Sequence, residues 1–492
     1  MRLRELQYLG RTTSLPRGEV DVVAATSDSR RVTPGTLFFA CKGEHADGHD
    51  FAQQAATNGA VAIVGERKGL QELAGLPYIY VENVRRALGV TVHQLAGDPT
   101  QTMTVIGVTG TNGKTSSVIL MQHVFHCAGF PAASFGTLGC RMGDVELPAM
   151  HTTPFAEELA ERFRDARQAG ITHVAMEVSS HALEQERVAG IRFRGAVFTN
   201  LTQDHLDYHK DMESYRRAKL MLFEQLEGND AVAAINVDDP SAPYFLRATR
   251  VPTVTFGSQG MCSATNVSIR SEGTVFTAVT PWGTTEIEMR LVGRHNIANA
   301  LGVIAVCGGI GIPLDMIAAG IHSVTNVPGR FERIDEGQPF SVIVDYAHTE
   351  DGLRNVLRTA REICSKRVIC VFGCGGDRDK GKRPKMGYAV AELADFAVVT
   401  SDNPRSESPE RILLDIEVGL QHAGKKKNKD YFMILDRAEA IHTALKMASE
   451  GDLVMIAGKG HENYQIIGSQ RIHFDDREVA RDFLKALQAK RG

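Results

Sequence analysis

The sequence predicts an α/β protein of three domains, two of them built on mostly parallel sheets, and two observations carry that expectation. Short apolar strands alternate with helical patterns at 104–108, 172–178, 195–200 and 231–237, and again at 342–345, 368–372, 396–400 and 453–457. This is the pattern of parallel sheets covered by helices. Two turn-rich breaks, Gly97-Asp-Pro-Thr100 and Val327-Pro-Gly-Arg330, separate the runs, so domains are expected over 1–97, 98–328 and 329–492. A chain of 492 residues is long enough for three cores.

Composition excludes little beyond this. The hydrophobic fraction of 43% and charged fraction of 23% are those of an ordinary globular protein, and a net charge of −4 argues against a nucleic-acid partner held by a general basic field. The eight cysteines, at 41, 127, 140, 262, 307, 364, 370 and 374, form no C-x₂-C pair and read as reduced core residues. The N-terminus lacks the uninterrupted apolar run of a signal peptide, and no later apolar stretch reaches ~18 residues without charge or a glycine cluster. A cytoplasmic monomer without a membrane partner is expected.

In chain order, the first element with chemistry is the strand at 104–108 and the loop behind it, Gly107-Val-Thr-Gly110-Thr111-Asn112-Gly113-Lys114-Thr115. The glycines let backbone N–H groups turn toward polyphosphate, Lys114 supplies a point charge, and Thr115 offers a hydroxyl to Mg²⁺. Val118, Ile119, Met121, Val124 and Phe125 follow at helical spacing, placing Lys114 in the first turn of an amphipathic helix. The next strand ends in Glu177-Val-Ser179-Ser-His181, where a carboxylate would hold Mg²⁺ directly or through water. The third delivers Asn200-Leu-Thr-Gln-Asp204-His205-Leu-Asp207-Tyr-His209, a loop rich in metal-ligating side chains. In the last segment four strands end in polar or glycine-rich clusters: Asp345-Tyr-Ala-His348, Gly373-Cys-Gly-Gly-Asp-Arg378, Ser401-Asp402-Asn403-Pro404-Arg405 and Gly458-Lys-Gly-His-Glu462. Ligands sit at the carboxyl ends of open α/β sheets, so a second ligand site is expected there.

These motifs, in this order and over essentially the whole chain, resemble the Mur ligases, ATP-dependent amide-forming enzymes of peptidoglycan synthesis. Gly110–Thr115, Glu177–His181, Asn200–His205 and Gly293-Arg-His-Asn296-Ile-Ala-Asn299-Ala300 are similar to the family's phosphate loop, metal-binding strands and nucleotide-gripping segment. The resemblance implies a central ATPase domain, a C-terminal Rossmann-like domain and an N-terminal domain for a UDP-linked sugar. Lys219 then matches a lysine that CO₂ converts to a carbamate (N6-carboxylysine) able to face Mg²⁺. Thr115, Glu177, His205 and that carbamate would be the metal ligands, with Lys114, Glu177, His205, Lys219 and Arg330 as the catalytic set. Gly110 to Thr115, Asn296, Arg330 and Asp345 would bind ATP. Ser29, His45, Ala46, Asp47, Thr152, Thr153, Ser179, Gln185 and Arg187 would bind UDP-MurNAc-L-Ala-D-Glu.

The implied reaction activates the D-glutamyl side-chain carboxylate as an acyl phosphate, which an amine then attacks. Asp402-Asn-Pro-Arg405 is similar to the motif that accompanies meso-diaminopimelate in the family, and Arg378, Gly458 and Glu462 match its other contacts. Chemistry supports that match: diaminopimelate is lysine with an added carboxylate beside the distal amine, and a guanidinium can grip it as a fork. Competing readings are a lysine-adding relative, separated by Arg405 and its neighbours, a folate polyglutamate synthetase, and a P-loop switch ATPase. Domain closure about 327–330 is expected during catalysis.

Overall fold

A computed structural model describes residues 1–9, 20–43, 46–148 and 150–489. The phosphate-loop strand Thr104–Thr109 lies at the centre of an eight-stranded sheet, between Gly195–Phe198 and His173–Glu177. Val232–Asn236 and Thr253–Phe256 extend it on one side and Ala132–Gly136 on the other, all parallel. Two antiparallel strands, Gly139–Met142 and Val145–Leu147, finish that edge. The inner strands are buried along their length, as a sheet covered on both faces requires.

Helix Lys114–Cys127 differs from the amphipathic helix expected. Its residues from Thr115 to Gln122 are all buried, together with Val124 and Phe125. Helices Arg294–Gly309 and Leu314–Ser323 pack over it, turning a surface helix into a core one. A three-stranded antiparallel sheet, Ser263–Arg270, Gly273–Thr280 and Gly283–Met289, lies between these parts and has no counterpart in the sequence reading. Its period-two burial is diluted by threonines on the exposed side.

The C-terminal sheet runs in the order Glu332–Ile334, Ser341–Asp345, Leu453–Ala457, Val368–Phe372, Phe396–Val399 and Tyr431–Met433, parallel except at the first strand. Leu453–Ala457, the last of these strands in chain order, lies between the first two parallel ones, so the loops after 345, 372, 399 and 457 open toward one crevice. Near the N-terminus, four parallel strands (Ala24–Thr26, Thr36–Phe39, Ala60–Gly65 and Leu76–Tyr80) carry the short antiparallel strand Glu72–Leu73. This unit docks on the central one by packing helix Val84–Leu95 against Ala156–Gln168 and by Ser27, whose N and Oγ both donate to Glu157 Oε1. The cysteines are free thiols; five are buried, and Cys127 is exposed rather than part of the core. Among the described residues no helix is long and apolar enough to cross a membrane.

Candidate active site

The phosphate loop is held open by its neighbours. Thr199 Oγ1 and Asn200 Nδ2 donate to the Asn112 carbonyl at 2.6 and 3.1 Å, and Asn112 N donates to Asn200 Oδ1 at 2.9 Å. Gly110 is in an extended left-handed conformation (φ 153°), and a Cβ there would overlap Thr199 Oγ1. The Gly110 carbonyl accepts from both Lys114 Nζ and Lys219 Nζ at 2.8 Å, so two lysine nitrogens converge on one oxygen. Burial pushes Lys114 down, and burial reinforced by Lys114 pushes the 1%-exposed Lys219 well down. Charge on either amine is disfavoured here unless a polyanion balances it.

Glu177 is buried and accepts from Thr137 N (2.8 Å) and Thr137 Oγ1 (3.2 Å). Thr137 Oγ1 also lies 3.2 Å from Thr152 Oγ1, and Thr153 Oγ1 donates to the Glu177 carbonyl. Arg187 then links Thr153 O, Gln185 Oε1 and the face of Phe155. Ser179 caps helix Ser180–Glu184 by accepting from Ala182 N. Thr152, Thr153, Ser179, Gln185 and Arg187 therefore gather beside Glu177. Ser29 is buried against Gln54, to which it donates at 2.7 Å, and Asp47 accepts from His49 and Arg67; both lie in the N-terminal unit. Ala46 is exposed, and His45 lies outside the described residues.

His205 opens its helix in a left-handed conformation (φ 55°). Burial drives its imidazole down to about 3, so it is neutral near pH 7 and has a lone pair to offer. Its neighbour Asp204 is 8% exposed and lies 3.6 Å from His348 and 3.7 Å from Lys382, both in the C-terminal domain. Burial alone would raise this carboxyl; His348, His205 and Lys382 together hold it well below the usual range. Arg330 also crosses between domains, donating to Thr115 Oγ1 at 3.0 Å with its guanidinium 4.5 Å from the Tyr346 ring centre. Asn112 Nδ2 reaches Asp351 Oδ2 at 2.9 Å, and Gln203 Nε2 reaches Asp379 Oδ2 at 2.9 Å.

Two cavities result. One of about 470 Å³ lies behind the phosphate loop, lined among others by Asn112, Asn299, Arg330, Asp345 and Tyr346. Asn296 is not in this wall: its amide donates to the Val292 carbonyl and accepts from Asn299, so it supports Asn299 from behind. Asp345 accepts from Phe331 N and Ala347 N, and burial raises its carboxyl. The second cavity, about 240 Å³, is lined by His205, Arg378, Asp402, Asn403, Arg405, Gly458 and Glu462, with Asp204, Tyr346 and Lys382 also in its wall. Pro404 is buried next to this wall. The four strand-end clusters thus meet the Asp204–His205 loop of the central domain.

Arg405 adopts φ 53°, and its Nη1 donates to Gly376 O at 2.7 Å. Asp351 and Lys382 are contributions the sequence reading did not name, and Asn299 and Asp204 it named only within their segments, without a role of their own. Asp351 in a first helical turn reads as ordinary end charge, and Lys382 within Arg378-Asp-Lys-Gly-Lys-Arg383 reads as a solvated run. One further close contact lies at the end of the segment where a hinge is expected. Gly329 (φ 66°) and Gly460 (φ 52°) abut so closely that a Cβ on Gly460 would lie 2.6 Å from Gly329 O, and one on Gly329 would overlap His461 N.

Comparison with known proteins gives matching results along the chain. Residues 22–94 match the model described as Mur ligase family, catalytic domain; 108–307 match the Mur ligase middle domain, and 329–460 the Mur ligase glutamate ligase domain. UDP-N-acetylmuramoyl-L-alanyl-D-glutamate--2,6-diaminopimelate ligase of Geobacillus thermodenitrificans is 48% identical over 475 residues, covering 95% of this chain and 96% of the relative. The protein of the same name from Bacillus cereus is 44% identical over 95% of each. A solved structure of a ligase with this name superposes with a TM-score of 0.71 at 32% identity over 99% of both chains. MurF from Acinetobacter baumannii, at 20% identity and TM-score 0.64 over 90% of this chain and 91% of that one, shares the fold.

Proposed function

The chain belongs to the Mur ligase family, and from that premise we propose how its residues divide the reaction. It is an ATP-dependent ligase of peptidoglycan precursor synthesis that adds 2,6-diaminopimelate to UDP-N-acetylmuramoyl-L-alanyl-D-glutamate. The observation that carries the proposed roles is the pair of cavities sharing Tyr346, with Arg330 reaching from the C-terminal domain to the phosphate loop. In this reading the domains are 1–97, 98–328 and 329–492 and bind, respectively, the UDP moiety, ATP and the incoming amino acid.

ATP occupies the larger cavity, its phosphates on the N–H groups of Gly110–Thr115 and its nucleoside against Asn299 and Asp345. Lys114 and Arg330 draw the γ-phosphate toward the D-glutamyl carboxylate, which Thr152, Thr153, Ser179, Gln185 and Arg187 present through the dipeptide. A carboxylate oxygen attacks the γ-phosphorus, the bond to the β,γ-bridging oxygen breaks, and ADP leaves. Two anions meet in this step, so the converging cations are its main electrostatic contribution. The amine of diaminopimelate, held in the smaller cavity, then attacks the acyl carbon; the bond to the phosphate oxygen breaks and the nitrogen loses a proton. Positioning by the closed domains rather than a protein nucleophile carries the rate.

Thr115, Glu177 and a Lys219 carbamate would offer Mg²⁺ the hard oxygens it takes, with one imidazole nitrogen from His205 and substrate phosphates supplying part of the shell; among the described residues no group of three or more His, Cys, Asp or Glu side chains forms a ready-made metal site. Thr115 and Glu177 would hold one ion and His205 with Lys219 as its carbamate a second; bound Mg²⁺ neutralises charge on phosphate and carboxylate. Lys219 suits carbamate formation because the reacting species is the neutral amine, and burial favours that form. The amine nitrogen bonds to CO₂ carbon and releases one proton. An intact mass without the added CO₂ in an active preparation kept under bicarbonate would sink this part.

The deciding test is phosphate release from ATP with the UDP-linked dipeptide, in parallel with meso-diaminopimelate, L-lysine and no amine, with product masses. Turnover and the tripeptide mass with meso-diaminopimelate alone support the reading. Equal turnover with lysine would remove Arg405 as discriminator, and turnover without amine or peptide product would point to a switch ATPase.

A further inference from the structure

Behind the amino-acid cavity lies a cation that does not line it. Lys459 is fully buried, in the loop between Gly458 and Gly460. Its Nζ lies 3.3 Å from Asn403 Oδ1, 3.4 Å from Glu462 Oε2 and 3.6 Å from Asp402 Oδ1. All three partners belong to the cavity wall. Asn403 is fixed further, its Nδ2 donating to the same Glu462 Oε2 at 3.0 Å and its Oδ1 accepting from Ile466 N at 3.0 Å. Burial would raise Asp402, but Lys459, followed by Arg437, outweighs it and holds the carboxyl low. Among the described residues Asp402 Oδ1 has no hydrogen-bond partner, so Lys459 meets it as a charge at ion-pair distance.

We propose that Lys459 is a positioning residue that sets which stereoisomer the cavity accepts, by fixing Glu462 and Asn403 relative to Arg405. The inference rests on the diaminopimelate reading above. At the distal carbon of that substrate the carboxylate turns to Arg405, the ammonium to Glu462, and the chain leads toward the acyl phosphate. Three directions fixed in space define a hand. Arg405 is tied to Gly376 O on one side; without Lys459, Glu462 loses one of the contacts that hold it and keeps the Asn403 Nδ2 hydrogen bond, about which it can turn, and the mirror placement of carboxylate and ammonium then fits as well. A lysine confined to a loop and paired with two carboxylates would otherwise be only a neutralising charge, so the test must separate the two roles.

Steady-state phosphate release is measured on the full-length enzyme with meso- and LL-diaminopimelate, for wild type, Lys459→Met, Glu462→Gln and the double variant. Losing a hydrogen bond between charged groups predicts a rise of about 10- to 100-fold in the KM for meso-diaminopimelate, with KM for ATP and the UDP-linked dipeptide within about twofold. The meso-over-LL preference should fall toward unity, and the double variant should be no worse than its worse parent, since both changes act through one carboxylate. Lys459→Arg, which keeps the charge, should retain most of the preference and serves if the methionine variant does not fold. Proportional rises in all three KM values, additive effects, or an unchanged stereochemical preference would overturn the proposal. A wild-type enzyme inert toward both isomers would instead overturn the substrate reading and the inference with it.

Discussion

Replacing Arg405 tests the amino-acid cavity most directly, because its backbone and its side chain make separable contributions. The guanidinium lines the cavity and would form two charge-assisted hydrogen bonds to the distal carboxylate. Such bonds contribute about 1.5–3 kcal/mol each; Arg405 is only half-buried, so solvent screening reduces the pair to roughly 2–4 kcal/mol. Arg405→Ala should therefore raise the KM for meso-diaminopimelate about 30- to 1000-fold. The KM for ATP, bound in the other cavity, should change little. Lysine leaves the guanidinium facing an ammonium in the wild type, so the preference over lysine should narrow. The backbone supplies the control: at φ 53° a residue with a Cβ is strained by about 1–2 kcal/mol. Alanine keeps that strain and glycine removes it. Arg405→Gly should thus lose as much affinity as Arg405→Ala yet melt about 2–4 °C higher. Phosphate-release kinetics and thermal melts of both variants are the assays. Equal rises in the KM for ATP and for diaminopimelate, or an alanine variant that melts above the glycine one, would refute the reasoning.

Other perturbations probe closure, the hinge and acid stability. Asp204→Asn removes the charge that meets His348 and Lys382 across the domain boundary; kcat should fall about tenfold or more, and small-angle scattering with bound nucleotide and dipeptide should show a more open envelope. Wild-type scattering from that variant would exclude a role for the Asp204 contacts in holding the domains closed. Gly460→Ala forces a Cβ against the Gly329 carbonyl and should lower stability by about 3 kcal/mol or more, read as a drop in the denaturant midpoint without a change of slope. His93 is wholly buried, neither ring nitrogen has a hydrogen-bond partner among the described residues, and burial lowers its pKa to about 4. Below pH 6.5 the unfolded chain binds a proton that the folded one refuses, so stability is full above that pH and declines through pH 4, by roughly 2 kcal/mol at pH 5. His93→Leu should flatten this part of the melting-temperature profile; an unaltered acid limb would assign it elsewhere.

The two parallel sheets were legible because their strands are buried on both faces and so read as unbroken apolar runs such as 104–108 and 368–372. The strand-end clusters were legible for a related reason: polar and glycine residues directly after such runs have little else to do. What escaped were roles that depend on approach from another domain. Asp204 looks like one more polar loop residue until His348 and Lys382 arrive, and Asp351 looks like a helix-end charge until Asn112 donates to it. Asn296 was picked out with its segment, but which of two asparagines one helical turn apart faces the cavity depends on a rotation that composition does not encode. The helix after the phosphate loop carries a polar face of serines and Gln122 that, by pattern, belongs in water; covering helices bury it.

Tyr346 stands in the walls of both cavities, the larger and the smaller, like a partition between adjoining rooms. A single compound carrying a nucleotide mimic at one end and a diamino-acid mimic at the other would need only a short tether past that ring. Once either end docked, the other would be confined at an effective concentration in the millimolar range, without any new contact. Weak fragments for each room could therefore be joined into a tight inhibitor, and the tether's length would be dictated by one aromatic side chain.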